Sequence, residues 1–482
     1  MSDVARQVYI ISDLHLGGVY EEPNDPSGRG FRICTQVPKI AALVSALAAK
    51  PADGPAVELV VNGDMVDFLA EREAAPPNWV PFTPDPAQAA DKLGAIIDRD
   101  RVLFDAFGTL LQQGRRLTLL LGNHDIELAL PRVRRRLESE IGVAPQHDFR
   151  FIHDGEAYVI GEALIEHGNR YDQFNVVDND ALRRVRSLQS RNQPIPEKYA
   201  FAPPAGSRMV AEVINPIKSS YRFIDLLKPE GGSVVPMLLA LEPGYRKILG
   251  KVTTIAIASR KHRLEEAALP GFGGDISSAA AEPDPLDAVL SDAMGEDAAA
   301  FQQAVGAGDD ATAGFGEDIS TLDTVNRNLG MAKLLFSKNN DDIEGRLPAL
   351  LKAVRALQDD KTFDRSTETY TEYLDAANDL AKGGFTYVIF GHTHLPKDVG
   401  IHGGGRYLNS GTWADLIKFP TEILIGDDTQ ALEGLRAFVN DIAAGRLADW
   451  IYFKPTYIRL DLDANDHILA AELCDYDGPD GV

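Results

Sequence analysis

The sequence predicts an α/β fold, and three observations carry the prediction. Short apolar runs at residues 7–12 (QVYIIS), 57–61 (VELVV) and 117–121 (LTLLL) each stop against turn-forming or polar residues, as buried strands do. The stretches between them repeat apolar residues at helical spacing, so helical crossovers join the strands and the sheet is expected to be largely parallel. All three runs deliver polar side chains at the same end, where open sheets of this kind place their ligand sites.

The first run hands directly to Asp13-Leu14-His15. Residues two apart in extended backbone point to the same side, so Asp13 and His15 can converge on one point. Residues 23–30 read as a loop and 36–50 as a helix, through Ile40, Leu43, Val44 and Leu47. The second run ends in Asn62-Gly63-Asp64, with Asp67 shortly after it, readable either as a structural carboxylate or as part of a site. A proline-rich excursion at 76–86 precedes one helix running to about Gln113, with Leu93, Ile96, Ile97, Val102, Leu103, Phe107 and Leu110 inward. The third run ends in Gly122-Asn123-His124-Asp125, where an amide oxygen and an imidazole could serve a metal and a proton transfer, or form a plain polar loop. Arg132, Arg134, Arg135 and Arg136 then make a basic island on a helix. It reads as a solvated face or, alternatively, as a contact for an anionic substrate through Arg132 and Arg135.

Residues 158–166 read as a further strand, delivering His167-Gly168-Asn169-Arg170, with Arg170 placed to meet a phosphate. From 171 to 384 the pattern turns helical, at 180–189, 207–227, 236–257, 322–336, 347–357 and 367–381. Within it, residues 270–316 are loaded with Gly, Ala, Ser and Asp and read as a mobile linker. The sequence GFGGDIS at 271–277 is echoed there by GFGEDIS at 314–320. Residues 385–390 (FTYVIF) return to strand character and end in Gly391-His392-Thr393-His394, followed by LNSGT at 408–412. Residues 457–462 and 468–473 are expected to be late strands that complete a second sheet. The expected organisation is a core made of residues 1–170 and 385–482, with 171–384 inserted as a mainly helical cap.

Composition narrows the function classes. The chain has 482 residues, 44% of them hydrophobic, enough for two to four domains and a sizeable core. Its 48 Lys and Arg stand against 72 Asp and Glu, a net charge of −24 that argues against a broad electrostatic grip on nucleic acid. Cys34 and Cys474 cannot make a disulfide framework and read as free thiols. The start has no basic region followed by an apolar core, and the longest apolar windows are too short to span a bilayer. A cytoplasmic protein is expected, with peripheral contact on the inner membrane face open through the apolar cap segments 237–241 and 248–257 and the neighbouring Arg246, Lys247 and Lys251.

Five strand ends thus carry Asp13 and His15, Asp64, Asn123 with His124, His167, and His392 with His394. These are oxygen and imidazole donors without a thiolate, which suits Mn²⁺ first, then Fe or Zn²⁺. Seven ligand candidates exceed what one catalytic ion needs while keeping open positions. Two divalent ions sharing a carboxylate would use them all and could activate a water for in-line displacement at phosphorus.

The order Asp-x-His, Gly-Asp, Gly-Asn-His-Asp, His, Gly-His-x-His resembles the calcineurin-like metallophosphoesterase superfamily, over about residues 7–170 and 385–412. The resemblance implies a four-layer αββα sandwich with a dimetal site and a large inserted helical cap. One ion would be held by Asp13, His15, Asp64 and His394, the other by Asp64, Asn123, His167 and His392. A metal-bridged hydroxide would attack phosphorus, His124 would assist the leaving group, and Asp125 would orient His124. Residues 409–411 look like the structural strand after the last motif. The motif style is nearest to UDP-2,3-diacylglucosamine diphosphatase-like phosphoesterases, which implies a phosphorylated small-molecule or lipid substrate. This chain departs from the best-known branch of those enzymes at His124, where they carry Arg, at Asn169, where Asp is usual, and in the length of the cap.

Overall fold

The computed structural model describes residues 4–18, 31–73, 78–172, 174–218, 222–228, 237, 347–444 and 446–482. Their strands are β1 (Arg6–Ile11), β2 (Ala56–Asn62), β3 (Arg116–Leu120), β4 (Phe149–Ile152), β5 (Tyr158–Ile160), β6 (Ala163–Ile165), β7 (Tyr387–Phe390), β8 (Lys397–Gly400), β9 (Arg406–Asn409), β10 (Leu416–Ile417), β11 (Ile451–Tyr452), β12 (Thr456–Leu462) and β13 (Ile468–Asp475). The longer helices are α1 (Val37–Ala48), α2 (Pro86–Arg99), α3 (Arg101–Gln112), α4 (Pro131–Ile141), α5 (Asn179–Gln189), α6 (Leu347–Leu357), α7 (Thr371–Lys382) and α8 (Asp428–Ala443). The protein is of mixed α/β class, as the sequence predicts.

Two sheets organise the first compact unit, which comprises Met1–Glu212, Lys361–Leu416 and Tyr452–Val482. The first sheet has the order β13-β12-β1-β2-β3-β4, parallel from β1 to β4 and antiparallel at the β1–β12 and β12–β13 pairs. The second has the order β5-β6-β7-β9-β8. Side-chain alternation sorts each strand between two apolar clusters. Tyr9, Ile11, Leu59, Val61, Leu117 and Leu119 point to the α1–α4 side, joining Leu43, Leu93, Phe107 and Leu137. Val8, Ile10, Val60 and Leu120 point the other way and meet Ile165, Ile389 and Leu408 of the second sheet. The far face of that sheet, with Val388, Phe390 and Tyr407, takes Tyr373 and Ala377 of α7. Burial on both faces explains why the parallel strands read as continuous apolar runs.

Several elements differ from the sequence expectation. The late strands β12 and β13 extend the first sheet along β1 and do not complete the second, which is built instead from 158–165 and 387–409. The run 158–166 is a hairpin: β5 and β6 pair antiparallel about Gly161, whose φ of 51° suits a tight turn. The expected single helix up to Gln113 is two, broken at the buried Asp100, whose carboxylate binds Arg32, and Val102 in the first turn of the second is exposed, not inward as expected. Asp85 caps the first of these by accepting from the backbone of Ala87 (2.7 Å) and Gln88 (2.9 Å). A continuous helix over 207–227 is replaced by Ala205–Met209, a π turn at Val210–Ile214 and Asn215–Lys218, where Pro216 supplies no backbone donor. The helices expected at 236–257 and 322–336, the linker 270–316, the paired GFG motifs and the apolar and basic cap residues from 238 onward lie outside the described residues.

The division of the chain also moves. Residues 171–212 and 361–384, expected in the cap, belong with the first unit, because α5 packs under α1–α4 and α7 covers the second sheet. The second unit comprises Val213–Asp360 and Ile417–Ile451, so part of the C-terminal segment joins it. There Phe438 of α8 packs on Phe223, Phe419 and Trp450. Gln358 ties the unit together by donating to the Lys228 (3.0 Å) and Ile417 (2.8 Å) carbonyls and accepting from Phe419 N (3.1 Å). Among the described residues no helix is long and apolar enough to cross a membrane.

Candidate metal centre

The parallel strands β1, β2 and β3 end side by side, and β6 and β7 end opposite them. The residues that follow these five ends close on one point within the first unit. Asp13, His15, Asp64, Asn123, His124, His167, His392 and His394 are each 6% exposed or less, so water does not satisfy them. Three groups have ligand atoms within 4.8 Å of one another: Asp13 with His15 and His394, His15 with Asp64 and His124, and Asp64 with His167 and His392. Asp64 belongs to two of them.

The backbone is bent to achieve this. Asp13, His15, Asp64, His392 and His394 all have positive φ, between 44° and 67°, in the left-handed region that side chains avoid at a cost of roughly 1–2 kcal/mol each. Asp13 and His15, and likewise His392 and His394, therefore reach the cluster from left-handed turns and not from the extended backbone assumed from the sequence. Two motif glycines, Gly122 and Gly391, are needed for another reason, close approach. A Cβ at Gly122 would run into the Asp64 carboxylate, and one at Gly391 would stand 2.7 Å from Asp13 Oδ2.

Neighbouring groups fix the rings. Asp67 reaches two imidazoles, His15 Nδ1 at 3.4 Å through Oδ2 and His124 Nδ1 at 3.1 Å through Oδ1. His167 directs Nδ1 to the Asn62 carbonyl at 2.8 Å and Nε2 to Asp64 Oδ2 at 3.1 Å. With protons on Nδ1, the Nε2 atoms of His15 and His167 carry lone pairs directed into the cluster. Asp13 is held by Ser12 and by the backbone of His392, whose N–H donates to Oδ2 at 3.0 Å. Thr412 binds the Asp13 carbonyl at 2.6 Å, and Asn409 donates to the Gly391 carbonyl at 2.7 Å, which gives residues 409–412 a structural part in the site.

Two observations test the fit of cations. His15 Nε2 and His394 Nε2 lie 2.9 Å apart, with Asp13 Oδ1 3.4 Å from His394, so basic nitrogens face one another across a carboxylate. Asn123 Oδ1 is buried without a hydrogen-bond partner among the described residues, an arrangement that costs about 1–3 kcal/mol unless something electropositive meets it. Oxygen and imidazole donors converging in this way could hold metal ions.

The electrostatics follow from burial and crowding. Burial would raise the Asp64 carboxyl, but His167, His124 and His15 outweigh it and hold the group well below the carboxylate range. Burial would lower His167, yet Asp64 above all pushes it up to about 9. Burial and the Asp64 charge push Asp125 up to about 7.

Asp125 does not orient His124, contrary to the sequence expectation. Its oxygens accept from Gly122 N (2.7 Å) and Met65 N (2.9 Å), stitching the end of β3 to the loop after β2, and Asp67 takes the imidazole. Arg132 and Arg135 are exposed on α4 and make no hydrogen bond or ion pair with the clustered residues. Arg170 pairs with Glu166 at 3.1 Å and donates to the Gly155 carbonyl at 2.6 Å. It lines a cavity of about 490 Å³ that borders His167, among Asp154, Glu156, Glu166, Asp178 and Asp180, a setting that does not favour an added anion. Sequence reasoning missed Asp172, whose Oδ2 lies 3.3 Å from His392 Nε2. The spacing His167 to Asp172 crosses a short 3₁₀ turn at Asn169–Tyr171, which no periodicity announces.

Comparison of the chain with protein-family models, with curated proteins and with solved structures found no match.

Proposed function

We propose that the protein is a dimetal-dependent hydrolase of phosphate ester or pyrophosphate bonds, built on the αββα sandwich of the calcineurin-like metallophosphoesterases. The layering of α1–α4, two sheets and α7 is consistent with that fold. The observation that carries the reading is Asp64, whose Oδ2 lies 3.7 Å from His15 Nε2 and 3.1 Å from His167 Nε2, so that one carboxylate stands between the two ligand sets. Asp13, His15, Asp64 and His394 would hold one ion, and Asp64, Asn123, His167 and His392 the other.

Two such ions, when bound, supply an activated water and neutralise charge on the transferring phosphoryl group. The chain's own residues would do the rest. Asp67 holds His124 Nδ1, leaving Nε2 as the nitrogen that hands a proton to the departing oxygen. Asp67 also steadies His15. Burial keeps bulk water from competing with the ordered donors.

The test is metal content and turnover together. Purified protein should bind two divalent ions per chain. With added Mn²⁺ it should hydrolyse a member of a panel of phosphomonoesters, phosphodiesters and nucleotide-sugar pyrophosphates. Asp64→Ala should lose metal-dependent turnover with its circular dichroism unchanged. Full turnover in that variant, or fewer than two ions bound by the parent, would end the reading.

A further inference from the structure

The segment that follows His167 carries an arrangement that the ligand set does not use. Asp172, its side chain 15% exposed, directs Oδ2 at His392 Nε2, 3.3 Å away. The same oxygen accepts from Asn175 Nδ2 at 2.7 Å, while Oδ1 accepts from Phe174 N at 2.8 Å. Asn175, 5% exposed, turns its own Oδ1 to Asn123 Nδ2 at 3.4 Å. Its carbonyl takes Asn169 Nδ2 at 2.8 Å, and its side chain sits against Gly206, where a Cβ would collide with it. A continuous chain of polar contacts therefore runs from His392 through Asp172 and Asn175 to Asn123.

Resting on the dimetal reading above, we propose that Asp172 and Asn175 are positioning residues for one of the two ions, fixing His392 and Asn123 as ligands. Each contact settles a chemical ambiguity. A carboxylate accepts only, so Asp172 keeps the His392 proton on Nε2 and leaves Nδ1 as the donor atom. His15 and His167 have the opposite arrangement, with Nδ1 engaged by Asp67 and by the Asn62 carbonyl. The amide of Asn123 is settled in the same way. Asn175 Oδ1 accepts from its NH₂, so the carbonyl oxygen, the buried atom without a partner, is the one offered to the ion. The two ligands come from different sheets, His392 after β7 and Asn123 after β3. One short segment thus sets both, and the two other ring-orienting contacts are independent of it.

The experiment titrates full-length, chelator-treated protein with Mn²⁺, followed by electron paramagnetic resonance for the exchange-coupled pair. Imidazole ¹⁵N spectra of the Zn²⁺-loaded form are recorded beside it. Two ions are expected in the parent, with one ligand imidazole coordinated through Nδ1. Asp172→Ala should weaken one ion by roughly 10–100-fold and leave the other at parental affinity. Asp172→Asn, which keeps an acceptor, should recover most of that loss. Asn175→Ala should weaken the same ion, and it keeps the proposal testable should Asp172→Ala fail to fold. Parental affinity for both ions in Asp172→Ala and Asn175→Ala, or Nε2 coordination by every ligand imidazole, would overturn the proposal with the dimetal reading intact. A parent that binds fewer than two ions would overturn both.

Discussion

Gly122 separates two reasons for a glycine that are easily confused, and Gly122→Ala puts a number on one of them. Gly122 follows β3, and its backbone suits any residue, so alanine meets no conformational penalty there. The added Cβ would overlap the Asp64 carboxylate and stand 2.5 Å from Asp64 N and 2.7 Å from Asp64 Cγ. Neither neighbour can yield. The carboxylate accepts from His124 N at 2.8 Å and faces His167 at 3.1 Å, and the backbone lies in a left-handed turn with φ of 49°. Overpacking of this kind costs about 1–3 kcal/mol, and the upper half of that range is expected because backbone must shift. The displacement falls on the shared carboxylate, so binding of both ions should weaken and turnover should drop by about 100-fold. Gly114→Ala is the companion. With φ of 72° and open space around it, it should cost about 1–2 kcal/mol and leave metal binding untouched. Urea unfolding of the metal-free variants and Mn²⁺ titration of the folded ones measure both quantities. Were Gly122→Ala to bind two ions at parental affinity with stability within about 0.5 kcal/mol of the parent, the close-approach reasoning would be wrong.

Other expectations follow from the same geometry. Asp67→Asn should lower kcat by about 10–100-fold, because one amide cannot accept protons from both His15 and His124; unchanged kcat would count against Asp67 as the partner of His124. Asp125→Asn should destabilise by about 1–3 kcal/mol, since its NH₂ would confront a backbone N–H that now donates to a carboxylate oxygen; thermal melts read this directly. In metal-free protein His167 sits above its unfolded value, so its pairing with Asp64 stabilises fully below about pH 6.5 and is lost as pH rises through about 9. Denaturation in chelator at pH 6.5 and 9.5 should show the loss, and calorimetry in buffers of different ionisation enthalpy should show a proton released on metal binding near neutral pH. Mn²⁺ at 100 times its dissociation constant should stabilise by about 2.7 kcal/mol for each ion bound, a rise in Tm that EDTA reverses.

Much of the fold was legible because burial on both faces writes itself as unbroken apolar runs. Residues 7–12, 57–61 and 117–121 fell within a residue of β1, β2 and β3. The pairing of β12 with β1 was not legible. Alternation tells which face a side chain takes but not which strand lies beside it, and Thr456 is distant in sequence from Arg6. The split between α2 and α3 was hidden because apolar spacing continues through Asp100, whose role as an arginine partner depends on Arg32. The ligand-type residues were readable as strand-end polar groups, and they converge as expected. Their supports were not readable. Asp67 and Asp125 are both carboxylates close to motif residues, and only the fold decides which one meets an imidazole and which one meets backbone. Asp172 was invisible for the same reason.

The place of β1 has a bearing on biosynthesis. Its left neighbour, β2, follows within about fifty residues, but its right neighbour, β12, begins only at Thr456. At about 5–20 residues per second, a ribosome leaves that flank of the nascent chain open for on the order of half a minute or longer. Throughout that interval Arg6 to Ile11 offer unpaired amides and carbonyls to any passing strand. Deleting β12 and β13 should leave that edge of β1 open permanently and make the chain prone to aggregate.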